Sequence, residues 1–414
     1  MFEILFTQSA SLARHRAAPH AAAREQFLED CANRGYSYAM LRKIAWILLT
    51  VASQIHLDRS KVSLANIERA VEKRARFLRR RQSADGFHWS RQMFIHFIIE
   101  WLRSLGCTVC KPAVRHRFSK QLNLFSRYMH DECGLSSVTI ATRCGQLTSF
   151  FEYLPSSCNS VRRITIADID AFIENKGHQG WTRASLSTLA SSLRAFFRYA
   201  QTQDWCLSGL AAVIDSPRIY AMEDIPRGPD WEEVQRLLAI TNSSRHVDIR
   251  DRAILLLLSL YGLRRSEVAA LCLDDIDWVN DRILITRSKQ RRKQCYPLIP
   301  EVGNAILRYL QDARPRCVHR ALFLALAAPV RPLSATSITA VAHARLTALD
   351  IKLPSRGAHC LRHACASHLQ ASGFSLKQIG DHLGHRSASS TLAYTKVDLL
   401  GLRQVAEIDL RSLL

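Results

Sequence analysis

The chain has 414 residues, 48% of them hydrophobic, and carries 57 Lys and Arg against 36 Asp and Glu, a formal charge of +21. That length calls for two or three domains, and the apolar content excludes a largely disordered chain. The positive surplus favours a polyanionic partner through counterion release, without separating DNA from RNA or from an acidic membrane. The longest apolar runs, at 45–52 and 253–258, fall short of the roughly 20 residues that span a bilayer, so no membrane partner is expected. The first residues, M-F-E-I-L-F-T-Q-S, lack the basic and apolar regions of a secretory signal. Twelve cysteines scattered through apolar segments read as reduced thiols, which makes the cytoplasm the expected compartment.

Residues 1–112 are helical in pattern and form an N-terminal accessory segment. Its basic run K-R-A-R-F-L-R-R-R at 73–81 reads as a face for phosphates rather than a merely solvated one. Residues 113–220 read as a second helical domain. Apolar residues recur at three- and four-residue spacing over 118–130 and 138–154. Thr165 is placed to cap a helix running through 173, and 184–201 is another helix. Its stripe of Phe196, Phe197 and Tyr199 reads as core, because it repeats at helical period. A weak echo links the two segments: F-x7-G-Y-S from Phe27 and F-x8-G-L-S from Phe125 each precede an amphipathic helix. Duplication and coincidence both explain that much.

The stretch S-P-R-I-Y-A-M-E-D-I-P-R-G-P at 216–229 breaks any helix it enters and reads as the main linker. Residues 221–414 then form a mainly helical domain. Helices are expected at 231–240, 248–261, 301–313, 334–349, 359–371, 376–383 and after Lys396. A β-hairpin is expected from 282–287 and 294–299, joined by a basic turn. Gly373 is placed to end one helix and Ser375 to cap the next.

The last domain carries an ordered series: Y-G-L-R-R-S-E at 261–267, S-K-Q-R-R-K at 288–293, H-C-L-R-H at 359–363, L-G-H at 383–385 and Tyr394 nine residues on. Cutting a phosphodiester through a side-chain nucleophile builds negative charge on the non-bridging oxygens. It requires positioned cations, a nucleophile and a proton donor for the leaving oxygen. Arginine suits the first task, because its planar fork binds two phosphate oxygens and keeps its charge. His359 and Arg362, three residues apart, share one helix face. A tyrosine phenol, with a pKa near 10, is a better leaving group than an alkyl alcohol, so the covalent link is reversible without ATP. No phosphate-cradling glycine-lysine loop occurs, and Cys107-x-x-Cys110 is only half a zinc site, so no cofactor and no metal are expected.

This motif set resembles the tyrosine recombinase (phage integrase) family, over about 130 residues and in the family's order. The resemblance implies a helical core-binding domain of the SAM-like kind at 113–220 and a catalytic domain at 221–414, mostly α with a small sheet. It implies Arg264 and Arg362 as the phosphate clamp and Lys289, with Lys293 as the alternative, as proton donor to the 5′-oxygen. His359 would share the tyrosine proton, His385 would bond the scissile phosphate, and Tyr394 would be the nucleophile. Ser288 and Gln290 stand where the family often has glycines. Arg265, Arg291, Arg292 and Lys293 read as DNA-backbone contacts, Arg265 alternatively as structural.

The expected partner is double-stranded DNA, held in a C-shaped clamp by four protomers on two sites, with the tail after Tyr394 docking on a neighbour. Accessory recombinase proteins are further candidate partners. The extra N-terminal length favours an integrase or transposase of a mobile element over a chromosome-dimer resolvase. Two rivals remain: an inactive site-specific DNA-binding protein of the same descent, and a relaxing topoisomerase of the type IB kind.

Overall fold

The computed structural model describes residues 1–53, 61–79, 84–110, 117–218, 228–287, 292–353, 356–385 and 391. At 61, 63, 73–79, 84–90, 108–110 and 292 it describes the backbone alone. The architecture is mainly α, and the chain divides into two compact units. One comprises Met1–Ser60, Asn66–Thr108 and Asp224–Leu414, and the other Lys61–Ala65 and Val109–Glu223. No helix among the described residues is long and apolar enough to cross a membrane.

The second unit is built on four helices, Ser119–Asp131, Ser137–Tyr153, Ile166–His178 and Arg183–Thr202. Thr165 caps the third through a reciprocal pair with Asp168, which satisfies two otherwise orphaned N–H groups. Phe125, Phe150, Phe151, Phe172, Phe196 and Phe197 are buried together. The last two confirm the core reading of the aromatic stripe. Ring pairs such as Phe150–Phe172 and Phe151–Phe196, both with centroids 5.3 Å apart, meet edge to face.

The N-terminal part of the first unit repeats the same local construction. Phe27 lies buried in the helix Ala21–Asn33, as Phe125 does in Ser119–Asp131. Gly35 (φ +84°) and Gly134 (φ +61°) then turn the chain in the left-handed region. Ser37 and Ser136 cap the helices that follow, accepting from the N–H groups of Met40 and Thr139. Leu41, Leu48, Val51 and Ala52 are buried in the first helix where Ile140, Leu147, Phe150 and Phe151 are buried in the second. The echo in sequence is therefore a shared helix–turn–helix construction. The backbone of residues 73–79 continues the helix Leu64–Arg79, and residues 80 and 81 of the basic run lie outside the described residues.

The remainder of the first unit packs around the apolar helix His246–Ser259, whose Ala253, Ile254, Leu255, Leu257 and Leu258 are wholly buried. Asp230 and Glu233 form a capping box at the preceding helix Trp231–Ala239. Strands Arg282–Arg287 and Arg292–Pro297 pair antiparallel, with Arg282 opposite Pro297 and Arg287 opposite Arg292. The second strand thus begins two residues before the expected start, because the ladder runs on into the basic segment. A third strand, Ile276–Asp277, pairs with Arg282–Arg287 and extends the expected hairpin to a three-stranded sheet. Ser375 caps Leu376–Leu383, and Gly373 follows the helix Ala358–Ala371 with φ +84°, as read from the sequence. The expected helix after Lys396 lies outside the described residues, as does most of the expected linker.

Candidate active site

Three glycine-dependent approaches assemble the site. Gly262 has φ +57°, and a Cβ there would lie 2.4 Å from Leu383 Cδ2 and 3.3 Å from Cys365 Sγ. Only glycine lets the G-L-R segment come up against the L-G-H turn. Gly384 ends the helix Leu376–Leu383 with φ +63°, and its Cβ would meet Arg287 Nε at 2.5 Å and Cζ at 2.6 Å. Gly228 passes Cys360 and Ala364 so closely that a Cβ would meet backbone atoms at 2.6 and 2.7 Å.

Arg362 is buried, 2% exposed, on the helix Ala358–Ala371. It donates from Nη1 to the Gly262 carbonyl at 2.6 Å and from Nη2 to the Leu383 carbonyl at 2.7 Å. One guanidinium of H-C-L-R-H therefore ties G-L-R to L-G-H. Arg264 stands at the N-terminus of the helix Arg265–Ala270. Its Nη1 donates to Glu267 Oε1 at 2.9 Å, its backbone N–H to Glu267 Oε2 at 2.8 Å, and its Nη2 reaches the Gly384 carbonyl at 3.4 Å. His359 stands one turn before His363, ring centroids 4.3 Å apart and near perpendicular. His385 pairs through Nδ1 with the Thr391 hydroxyl at 2.7 Å, and its backbone N–H donates to the Gly380 carbonyl.

A second layer lies beneath. Arg287 is 2% exposed and donates to Glu267 Oε2 at 2.7 Å, Gln294 Oε1 at 3.0 Å, the His382 carbonyl at 3.3 Å and the Tyr296 hydroxyl. Tyr296 donates in turn to the same His382 carbonyl, and Gln294 Nε2 donates to the Asp381 carbonyl at 2.9 Å. Glu267 is thus shared by two arginines. Sequence reading gave Glu267, Arg287, Gln294 and Tyr296 no role. The signal was present: strand alternation puts Arg287 on the same face as the buried Ile283 and Ile285, where an unpaired cation would be costly.

The surroundings hold the imidazoles in their neutral form. Burial, then Arg362, Arg264 and Arg287, bring His385 down to about 4, and burial with His359, Arg362 and His385 does the same to His363. His359 is lowered from its ordinary value by enclosure in the site, then by Arg362, Arg264 and Arg265. Neutral imidazole offers an acceptor nitrogen, which the imidazolium lacks.

A cleft of about 380 Å³ opens beside this array, lined by Arg287, Lys293, Gln294, Cys295, Asp381, Gly384 and His385. Lys293 is exposed there, while Arg292 lies opposite Arg287 in the ladder. Arg265 is exposed and donates to the Thr339 hydroxyl at 3.3 Å. Lys289, Arg291 and Tyr394 lie outside the described residues. The structure thus brings together Arg264, His359, Arg362 and His385. Two guanidinium groups with neutral imidazoles can hold a phosphodiester and accept a proton beside it.

Residues 230–399 match the phage integrase family, and residues 122–204 match the phage integrase N-terminal SAM-like domain. A Sinorhizobium fredii protein named for an integrase/recombinase, y4rA, is 34% identical over 318 residues, covering 75% of this chain and 77% of its own. Tyrosine recombinase XerC of Mycobacterium bovis is 28% identical over 292 residues, 69% of this chain and 97% of that one. The fold is that of XerH site-specific recombinase (TM-score 0.57, 19% identity, 83% of this chain and 94% of that one). It is also that of a lambda integrase fragment (TM-score 0.53, 17% identity, 66% and 94%). These findings define an enzyme that cleaves and rejoins DNA. The chain belongs to the phage integrase family of tyrosine recombinases and is a site-specific DNA recombinase.

Proposed function

We propose that the chain exchanges strands of duplex DNA through a 3′-phosphotyrosyl link to Tyr394, with Arg264 and Arg362 as the phosphate clamp. The phenolic oxygen attacks phosphorus as its proton passes to His359. The bond from phosphorus to the 5′-oxygen breaks, and Lys289 gives that oxygen a proton, with Lys293 as the alternative donor. His385 bonds a non-bridging oxygen. An incoming 5′-hydroxyl reverses the sequence and restores the diester. Arginines supply the positive charge that a metal ion supplies in other phosphoryl transfers, so the reaction runs without cofactor. The observation that carries this reading is the Arg362 guanidinium bonded at once to the Gly262 and Leu383 carbonyls, beside Arg264 on the Gly384 carbonyl.

In this reading residues 113–220 form the core-binding domain, 221–414 the catalytic domain and 1–112 an accessory segment. Arg265, Arg291, Arg292 and Lys293 contact the DNA backbone. Four protomers act on two sites in the cytoplasm, and accessory recombinase proteins join them for an integrase or transposase role. The lambda integrase and XerH structures that share the fold are complexes with DNA, one a tetramer bound to a Holliday junction, which supports DNA binding and assembly.

The test uses a suicide duplex, nicked near the crossover and drawn from the DNA flanking the gene. Covalent trapping on that duplex alone, abolished by Tyr394→Phe, is the expected result. Trapping on any duplex would identify a topoisomerase, and binding without trapping an inactive DNA-binding protein.

A further inference from the structure

The site contains a cation, Arg287, that is 2% exposed yet forms part of the wall of the cleft. Four of the five N–H donors of Arg287 are taken, by Glu267, Gln294, Tyr296 and the His382 carbonyl. A guanidinium so engaged has no free fork left to grip a phosphate. Its partners nevertheless belong to three separate parts of the site: the helix after Arg264, the second hairpin strand, and the turn that carries His385. Gly384 lacks a side chain where a Cβ would press on this guanidinium, so the turn is fitted to Arg287.

Arg287 also has an electrostatic task. Glu267 holds Arg264 by side chain and backbone, which fixes its direction but cancels its charge toward a phosphate. A second arginine on the same carboxylate at 2.7 Å offsets that cancellation. Chain connectivity gives a third task. Arg287 is the last residue of its strand and stands two residues before Lys289, so its side chain anchors the root of the basic turn.

We propose that Arg287 is a positioning residue for strand cleavage, clamping the hairpin to Glu267 and to the His382–Gly384 turn and so setting where the leaving 5′-oxygen receives its proton. This rests on the strand-transfer reading above. In the step concerned, the tyrosine oxygen bonds to phosphorus, the bond from phosphorus to O5′ breaks, the phenolic proton goes to the base, and a lysine proton completes the 5′-hydroxyl.

The test compares two substrates, the ordinary suicide duplex and the same duplex with sulfur replacing the bridging 5′-oxygen. A thiolate leaves without a proton, so a loss confined to proton delivery vanishes on the sulfur substrate. Arg287→Met is expected to slow trapping on the oxygen substrate by about 10²-fold, the lower range of general-acid effects, and to return to within about tenfold of the parent on sulfur. Gln294→Ala removes one anchor and is expected to show the same sulfur rescue from a smaller loss, which keeps the test alive should Arg287→Met unfold. Equal losses on both substrates in a folded variant, or no loss at all, overturn the proposal. A parent protein that traps neither substrate overturns the strand-transfer reading and this inference with it.

Discussion

Replacing Gly384 by alanine tests how firmly the buried layer is pinned. Two terms oppose the change. Alanine at φ +63° pays the left-handed cost of about 1–2 kcal/mol. Its Cβ would also stand 2.5, 2.6 and 2.8 Å from Nε, Cζ and Nη2 of Arg287. A loose side chain would swing aside at little cost, but this one is held by Glu267, Gln294, Tyr296 and the His382 carbonyl. The added methyl therefore acts as overpacking, worth about 1–3 kcal/mol. Gly373→Ala is the control, since φ is +84° there and nothing lies within 4 Å of the built Cβ. Urea denaturation should show a loss of about 1–2 kcal/mol for Gly373→Ala and about 2–5 kcal/mol for Gly384→Ala. Adding Arg287→Met to Gly384→Ala should cost less than the sum of the single changes, because the crowded atoms are gone. Equal losses for the two glycines, with strict additivity, would refute a pinned Arg287.

Acidification should loosen the N-terminal helices through His15. Burial, then Arg24 and Arg14, bring this imidazole from 6.5 down to about 4, and its ring stacks on Phe6 with centroids 4.2 Å apart. A lowered histidine pKa means the unfolded chain takes the proton first, so stability falls as pH drops from 6.5 toward 4 and is retained above that window. Neither His15 ring nitrogen has a hydrogen-bond partner among the described residues, so His15→Phe should be tolerated at pH 7 and should preserve about 3 kcal/mol at pH 4, read by circular dichroism. Arg345 pairs with Asp251 and Asp248, both at 2.6 Å, between the helices Ala335–Ala348 and His246–Ser259. Arg345→Met leaves both carboxylates short of a partner, although Arg250 and Ser243 remain, and should cost about 3 kcal/mol in thermal unfolding with little dependence on salt.

Much of this site was legible because chain order alone carried it. Arg264, His359, Arg362 and His385 announce themselves by fixed short spacings, and the structure gathers them at one turn. The helices were legible for a different reason: caps such as Thr165 and Ser375 and apolar residues at helical period are local signals. Arg287 was not legible in the same way. Its meaning depends on a partner twenty residues earlier and on a carbonyl 95 residues later, and no local pattern encodes such a meeting. The strand Ile276–Asp277 escaped for a similar reason, since two residues make too short a pattern and only pairing with Arg282 and Ile283 defines them. The start of the second hairpin strand was missed because its first residues are basic, and charge masked the β alternation.

The way the arginines are held explains two properties of the site together. Arg362 is fastened by neutral carbonyls, so nothing in those bonds cancels its charge, and it stays cationic in a dry setting where charge acts over longer reach. Arg264 is fastened by a carboxylate, and Arg287 shares that carboxylate. The result is a net positive pocket, suited to a phosphate that gains charge as it is attacked. Burial first, and then the neighbouring guanidinium groups, lower His359, His363 and His385 from the ordinary imidazole value and favour their neutral form. Had these imidazoles been cations, they could bind phosphate but could not take a proton from a phenol. In the proposed reaction, clamp and base would thus share one setting: the burial that makes the guanidinium charge count, together with that charge, also favours a histidine nitrogen free to accept a proton.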